Sequence, residues 1–310
     1  MTDDVDARFR RMLLIRKVEE RVMQALTQGL VSGSTHLCIG QEAIPVGACE
    51  ALRDDDPLIA TYRGHGWLLA RGVEPAQLLA EVMGRESSLN GGRAGSAYMS
   101  AAAHHVYGEN SIVGAGVPIA VGLGLACRSA ADGRVPLVSI GDGAMNQGNV
   151  HESLNMASVL RIPLLVVVEN NGYAEMTPSA LLTAVPAARR AEAYGIQGVE
   201  VDGNDPAAVV EVVAAARAAA LDAQRPVLVE AHTHRLAGHY SGDAQVYRPS
   251  GELEDKRRGD PLVRARQQLA EADAARAEAD VERRVEEAFA TATGMPAQSG
   301  EEARAHVYSS

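Results

Sequence analysis

Two small polar clusters, each placed directly after an apolar run, carry the chemistry this sequence offers most clearly. Residues 135–173 read VPLVSI, then Gly141-Asp142-Gly143, an amphipathic segment, PLLVVVE, and Asn170-Asn171-Gly172-Tyr173. Asp-Gly and Asn-Gly are ordinary turn dipeptides when they stand alone. Here both follow buried-type strands within one βαβ-like unit, which puts both clusters at the carboxyl ends of parallel strands. Ligands of open α/β sheets bind at that edge. A carboxylate (Asp142), a carboxamide (Asn171) and loop carbonyls are hard oxygen donors, suited to Mg²⁺ or Ca²⁺ and poor for zinc. Mg²⁺ takes few protein ligands and completes its octahedron with phosphate oxygens and water, so the pattern points to a diphosphate cofactor held through the metal.

Other residues of matching chemistry lie in loops. His36, His65, His104, His105 and His239 all stand among glycines and small residues. A loop histidine can act as a general acid or base, or steady an anion. No HxxxH and no Cys/His spacing for zinc is present. Tyr62-Arg63 follows a short apolar run, and arginine beside a hydroxyl makes a diphosphate clamp.

The elements that must position these groups are readable from periodicity. Residues 4–26 carry apolar side chains at helical spacing. A second helix is expected over 42–52, with Pro45 in its first turn. The run 58–62 reads as a strand that Arg63-Gly64-His65-Gly66 breaks, and 75–83 as a helix. Residues 89–111 are rich in Gly, Ala and Ser without a period, and read as one long functional loop. Small residues at close spacing over 114–129 predict a tightly packed helix. After the central unit, 176–188 reads as a polar loop, 188–194 as a short helix and 198–202 as a strand. A helix capped by Asn204 or Asp205 runs from Pro206 to about 223, and 226–234 is a strand. A polar loop extends to Gly259, Asp260-Pro261 starts a helix, 271–289 is helical, and the last fifteen residues read as loose. With no repeat and no clear linker, residues 1–310 read as a single α/β domain with helical extensions.

Bulk properties narrow the function class. The chain has 310 residues, 46 % of them hydrophobic but only 4 % aromatic, so aliphatic and alanine packing must build the core. A net charge of −11 argues against general nucleic-acid binding. No membrane-spanning apolar run and no secretory leader is evident. Three cysteines without CxxC spacing fit reduced thiols in a cytoplasmic protein.

Six motifs then match a known family in order: THLCIGQEA (35–43), TYRGHG (61–66), NSIVGAGVPIA (110–120), GDGAMNQG (141–148) with HESLNMA, ENNGY (169–173) and RLAGHYSGD (235–243). The chain resembles the α subunit of the E1 component of 2-oxo acid dehydrogenase complexes, which includes pyruvate, branched-chain 2-oxo acid and acetoin dehydrogenases. The resemblance covers roughly residues 8–290. It implies a thiamine-diphosphate-binding α/β fold with a mostly parallel sheet flanked by helices. It implies that Asp142, the Asn171 side chain and the Tyr173 carbonyl hold Mg²⁺. Tyr62, Arg63 and His239 would contact the diphosphate, and Gly143 and Ala144 would supply backbone amides. Ser111 to Val113 would line the pyrimidine side, and His36 and His239 would face the reacting carbon. The implied activity is decarboxylation of a 2-oxo acid, with acyl transfer to the lipoyl group of an E2 partner. In this family the glutamate that activates the aminopyrimidine belongs to a separate β subunit. The chain is therefore expected to be inactive alone and to work as an α₂β₂ heterotetramer.

Departures from the family pattern bear on substrate. Tyr98 stands where members often have histidine, and Ser111 where glycine is common. Ala237-Gly238-His239-Tyr240 replaces the HGHS of mitochondrial pyruvate enzymes and lacks its regulatory serine. The GHYxGD form is closer to bacterial acetoin-type chains. His104 or His105 is expected to replace the lost loop histidine in the substrate pocket. Two alternatives stay open: the cofactor-binding half of a split transketolase-like enzyme, and a non-catalytic nucleotide-binding or scaffold subunit.

Overall fold

The computed structural model describes residues 2–87, 89–305, 307 and 308. Six parallel strands form the main sheet: β1 (Leu58–Thr61), β2 (Val106–Asn110), β3 (Leu137–Gly141), β4 (Leu164–Asn170), β7 (Gln197–Asp202) and β8 (Pro226–His232). Their order is β2-β1-β3-β4-β8-β7, and a separate two-residue ribbon pairs β5 (Tyr173–Ala174) with β6 (Thr177–Pro178). β3 and β4 lie side by side in register from Leu137↔Leu165 to Gly141↔Glu169. They are continuous apolar runs because the sheet is buried on both faces. Leu164, Val166 and Val168 enter one core while Leu165 and Val167 enter the other.

Helices α5 (Gly116–Ala130), α6 (Gly148–Val159) and α7 (Ala187–Arg190) cover one face. The small residues of α5 permit close packing: a Cβ on Gly124 would stand 2.3 Å from a methyl of Ile162. Helices α2 (Ala43–Ala51) and α8 (Pro206–Ala223) cover the other face. Asp205 caps α8 by accepting from the amides of Ala207 and Ala208, with Pro206 in the first turn. An outer layer adds α1 (Thr2–Thr27), α3 (His65–Ala70), α4 (Pro75–Val82), α10 (Pro261–Arg266) and α11 (Glu271–Gly294). The buried Asp56 carboxylate accepts from Val135 N (2.8 Å) and Arg217 Nε (2.6 Å), tying the start of β3 to α8. Among the described residues no helix is long and apolar enough to cross a membrane, and Cys38, Cys49 and Cys127 are free and buried.

Four expectations are corrected. The stretch read as one loop over 89–111 contains β2, an edge strand whose Val-Tyr-Gly-Glu-Asn sequence lacks an apolar period. The break after β1 is followed at once by α3, whose Trp67 is buried. The loop before Gly259 holds a short helix, α9 (Glu252–Arg257). Part of the tail read as loose is also anchored: Arg85 bridges to Ala297, Gln298 N donates to Gly84 O (3.1 Å), and α12 (Gly300–Ala305) follows, while residues 306, 309 and 310 lie outside the described residues.

Candidate active site

Five strands deliver short loops to the carboxyl edge of the sheet, and these loops surround a cavity of about 550 Å³. Tyr62 and Arg63 follow β1, Ser111 and Val113 follow β2, and Asp142 to Ala144 follow β3. Asn171 and Tyr173 follow β4, and Arg235 and His239 follow β8. His36 arrives from the loop between α1 and α2. That loop is laced to the β8 loop by Leu236 N to Ile39 O (2.9 Å) and Ser241 N to Thr35 O (2.9 Å). One cavity thus gathers all ten residues expected to hold the cofactor, together with His36.

The oxygen-rich corner is formed by Asp142 and Asn171, both buried. Ser179, on the segment after the β5–β6 ribbon, donates its hydroxyl to Asp142 Oδ2, and burial pushes the Asp142 pKa up against that bond. Asn171 Oδ1 accepts from Tyr173 N (3.1 Å), and its Nδ2 donates to Gln41 Oε1 (3.1 Å). A carboxylate and a carboxamide oxygen in one buried corner are a donor set for a hard divalent cation. Gly143 is needed for close approach, because a Cβ there would come within 2.7 Å of Ala174 Cβ.

Two buried guanidiniums line the same cavity. Arg63 donates to the carbonyls of Leu37 (2.6 Å) and His239 (3.0 Å). Arg235, 1 % exposed, donates to Glu175 O (3.1 Å) and Tyr247 Oη (2.8 Å), and its Nε has no partner among the described residues. Neither is paired with a carboxylate in the described ion pairs. Burial, followed by the like charge of Arg63, lowers the Arg235 pKa. A buried charge without a directly paired carboxylate is costly to keep, so two of them lining one cavity fit an anionic ligand. The hard-oxygen corner and this cationic wall together suit a metal-bound diphosphate.

The histidines complete the site. The His36 ring stands 4.5 Å from the Tyr62 ring and 5.0 Å from that of His239, edge to face, and His36 Nδ1 is buried without a partner among the described residues. Burial, then the charge of Arg63, lowers the pKa of His36 to about 3 and that of His239 to about 4. Both are therefore neutral imidazoles at neutral pH and able to accept a proton. The sign of the consequence is fixed. In the unfolded chain they titrate near about 6.5 and bind more protons than in the fold, so stability is lost as pH falls from about 6.5 towards 4. In denaturant titrations, replacing both with glutamine should shrink the drop in unfolding midpoint between about pH 7.5 and pH 5. An unchanged drop would show that these rings do not carry it.

Behind His239 a compact knot holds the loop. Asp243 accepts from His239 N (2.6 Å) and from Tyr247 Oη (2.7 Å), and Tyr173 Oη donates to Glu252 (2.6 Å) under the Arg248 guanidinium.

Three expected substrate residues are not brought here. Tyr98 is 57 % exposed and lies off the cavity wall. His104 and His105 precede β2, whose parallel direction places them at the opposite, amino-terminal edge of the sheet. There His105 O accepts from Leu58 N (2.8 Å), and both histidines line a second cavity of about 440 Å³ with Arg11 and Arg71. His65 is in the core, bonded to Glu19 (2.8 Å) and Ser96 (3.0 Å). Sequence reasoning in turn missed Arg235, Gln41, Glu169 and Ser179. Arg235 lies inside the quoted RLAGH motif, but nothing in the sequence says it is buried.

Comparisons with known proteins agree with this geometry. A model of the family described as dehydrogenase E1 component matches residues 10–301. The α subunit of an acetoin:2,6-dichlorophenolindophenol oxidoreductase from Cupriavidus necator is 41 % identical over 250 residues, covering 80 % of this chain and 75 % of that protein. Its counterpart from Bacillus subtilis is 37 % identical over 296 residues, covering 94 % and 88 %. The pyruvate dehydrogenase E1 component α subunit of Zymomonas mobilis is 39 % identical over 305 residues, covering 95 % and 85 %.

Proposed function

The chain belongs to the dehydrogenase E1 component family, and on that premise we propose that it is the α subunit of a thiamine-diphosphate enzyme that oxidatively decarboxylates a pyruvate-like 2-oxo acid. The acyl product passes to a lipoyl group on an E2 protein. A second reading, favoured by the acetoin oxidoreductase relatives, is cleavage of acetoin by the same site. The observation that carries the proposal is the meeting, at one sheet edge, of the Asp142/Asn171 oxygen pair with two buried guanidiniums that form no ion pair among the described residues.

When bound, thiamine diphosphate supplies a nucleophilic carbon and an electron sink for breaking a bond beside a carbonyl. The chain's own residues do the rest. Asp142, the Asn171 oxygen and the Tyr173 carbonyl would hold Mg²⁺. Arg63 and Arg235 would neutralise the diphosphate, and Tyr62 and His239 would hydrogen-bond it, with the Gly143 and Ala144 amides against it. Ser111 and Val113 would flank the pyrimidine end. Neutral His36 and His239 would bond the substrate's oxygens and take up a proton as charge develops there. Among the cavity's lining residues, Val113 and Leu182 are exposed apolar side chains, and their chain neighbours Ile112 and Leu181 are exposed as well, a surface that suits cover by a β subunit.

The test is co-expression with a β chain and a panel of pyruvate, branched 2-oxo acids, acetoin and ketose phosphates, read with an artificial electron acceptor. Turnover of a 2-oxo acid or acetoin is expected. Activity confined to ketose phosphates would overturn the assignment in favour of ketol transfer.

A further inference from the structure

A carboxamide ligand has a wrong way round. Rotated by half a turn, Asn171 would offer its NH₂ instead of its oxygen to a cation, and the two ends have nearly the same shape. Something outside the metal must choose between them. Asn171 Nδ2 donates to Gln41 Oε1 (3.1 Å), and Gln41 Nε2 donates to Glu169 Oε2 (2.7 Å). Glu169 Oε1 takes the Trp67 indole N–H (2.8 Å) and the Ser139 hydroxyl. The indole is a donor only, so the carboxyl must accept there. All five side chains are buried. Direction then propagates through the chain of bonds. The Glu169 acceptor turns the Gln41 nitrogen towards itself, which turns the Gln41 oxygen towards Asn171. That fixes the Asn171 nitrogen on Gln41 and leaves Oδ1 towards Tyr173 N and the cavity.

We propose that Gln41 and Glu169 are positioning residues that set the polarity of the Asn171 carboxamide, so that its oxygen faces the metal. The proposal rests on the reading of Asp142 and Asn171 as metal ligands. Outer partners of this kind conserve ligand orientation and affinity. Three elements contribute to the relay: Trp67 from α3, Ser139 from β3, and Glu169 from the end of β4. Gln41, just ahead of α2, joins it to Asn171. The orientation is thus built into the fold and not left to the loop.

The test uses Mn²⁺ as the probe. Its binding to the chain with its β partner, at saturating thiamine diphosphate, is followed by the electron paramagnetic resonance of free Mn²⁺. Glu169→Gln alone presents an NH₂ to the Gln41 NH₂, and the turn of both amides that relieves this clash points the Asn171 nitrogen at the metal, against the Tyr173 amide, which by itself favours the oxygen. A weakening of about 10–100-fold is expected. Adding Gln41→Glu to Glu169→Gln restores every donor–acceptor match: the new carboxylate accepts from both neighbours, and the new amide oxygen still takes Trp67 and Ser139. Affinity should return to within about threefold of the parent, which a merely structural role would not produce. Gln41→Met, which removes the acceptor while leaving Glu169 in place, should weaken Mn²⁺ as well and serves if Glu169→Gln alone does not fold. Parental affinity in the single variants, or a double variant as weak as Glu169→Gln, overturns the proposal. Absence of thiamine-diphosphate-dependent Mn²⁺ binding in the parent complex would instead overturn the metal site itself.

Discussion

Asp142→Asn should abolish the Mg²⁺-dependent binding of thiamine diphosphate while leaving the metal-free protein as stable as before. Asp142 is the single charged group in the expected ligand set; Asn171 and the Tyr173 carbonyl are neutral. A divalent ion stripped of that charge keeps only dipoles, which are poor compensation for its lost water. Changes to the partners of metal ligands typically cost about 10–100-fold in affinity, so loss of the charged ligand itself should exceed roughly 100-fold. The fold has little to lose. Burial pushes the Asp142 carboxyl up in pKa, which means that the ionised group is disfavoured where it sits. Asparagine keeps its shape and an oxygen for the Ser179 hydroxyl. Thermal unfolding separates the two effects. The parent complex should gain stability from Mg²⁺ and thiamine diphosphate together, by mass action on the folded state. The variant should show the parent's unligated midpoint and no gain. An undiminished gain would remove Asp142 from the metal site.

The central unit was readable from the sequence because its physics is local. β3 and β4 are apolar runs bounded by small polar clusters, and their burial on both faces follows from lying mid-sheet. β2 was hidden for the opposite reason. It is an edge strand, and its Gly108 and Glu109 break the apolar alternation. That omission explains the misplaced histidines. Read as one loop, residues 89–111 put His104, His105 and Ser111 on the same edge. A five-residue strand rising about 3.3 Å per residue instead separates its end residues by roughly 13 Å. Arg235 was unreadable for a third reason. Arginine is ordinarily exposed, and what buries this one comes from Glu175 and Tyr247, on separate segments of the chain. The relay from Glu169 through Gln41 to Asn171 spans residues far apart in sequence, and neither Gln41 nor Glu169 has a distinctive local spacing.

The second large effect is dependence on a partner. This chain brings together groups for a metal-bound diphosphate, two neutral histidines and a cavity about 550 Å³ in volume. The described wall offers a buried carboxyl in Glu169, but the relay engages both of its oxygens through Gln41, Trp67 and Ser139. It is therefore not free to activate the far end of the cofactor. Beside the lining residues Val113 and Leu182, Ile112 and Leu181 are 69 % and 76 % exposed, apolar surface that covering by another chain would remove from water. The expected behaviour is all or none, because a cofactor held only at its diphosphate end is positioned but not activated. The direct test is reduction of an artificial electron acceptor by the purified chain with thiamine diphosphate, Mg²⁺ and the substrate found for the complex, with and without the β chain. No turnover is predicted without the partner and turnover is predicted with it. Comparable turnover by this chain alone would contradict the half-site account.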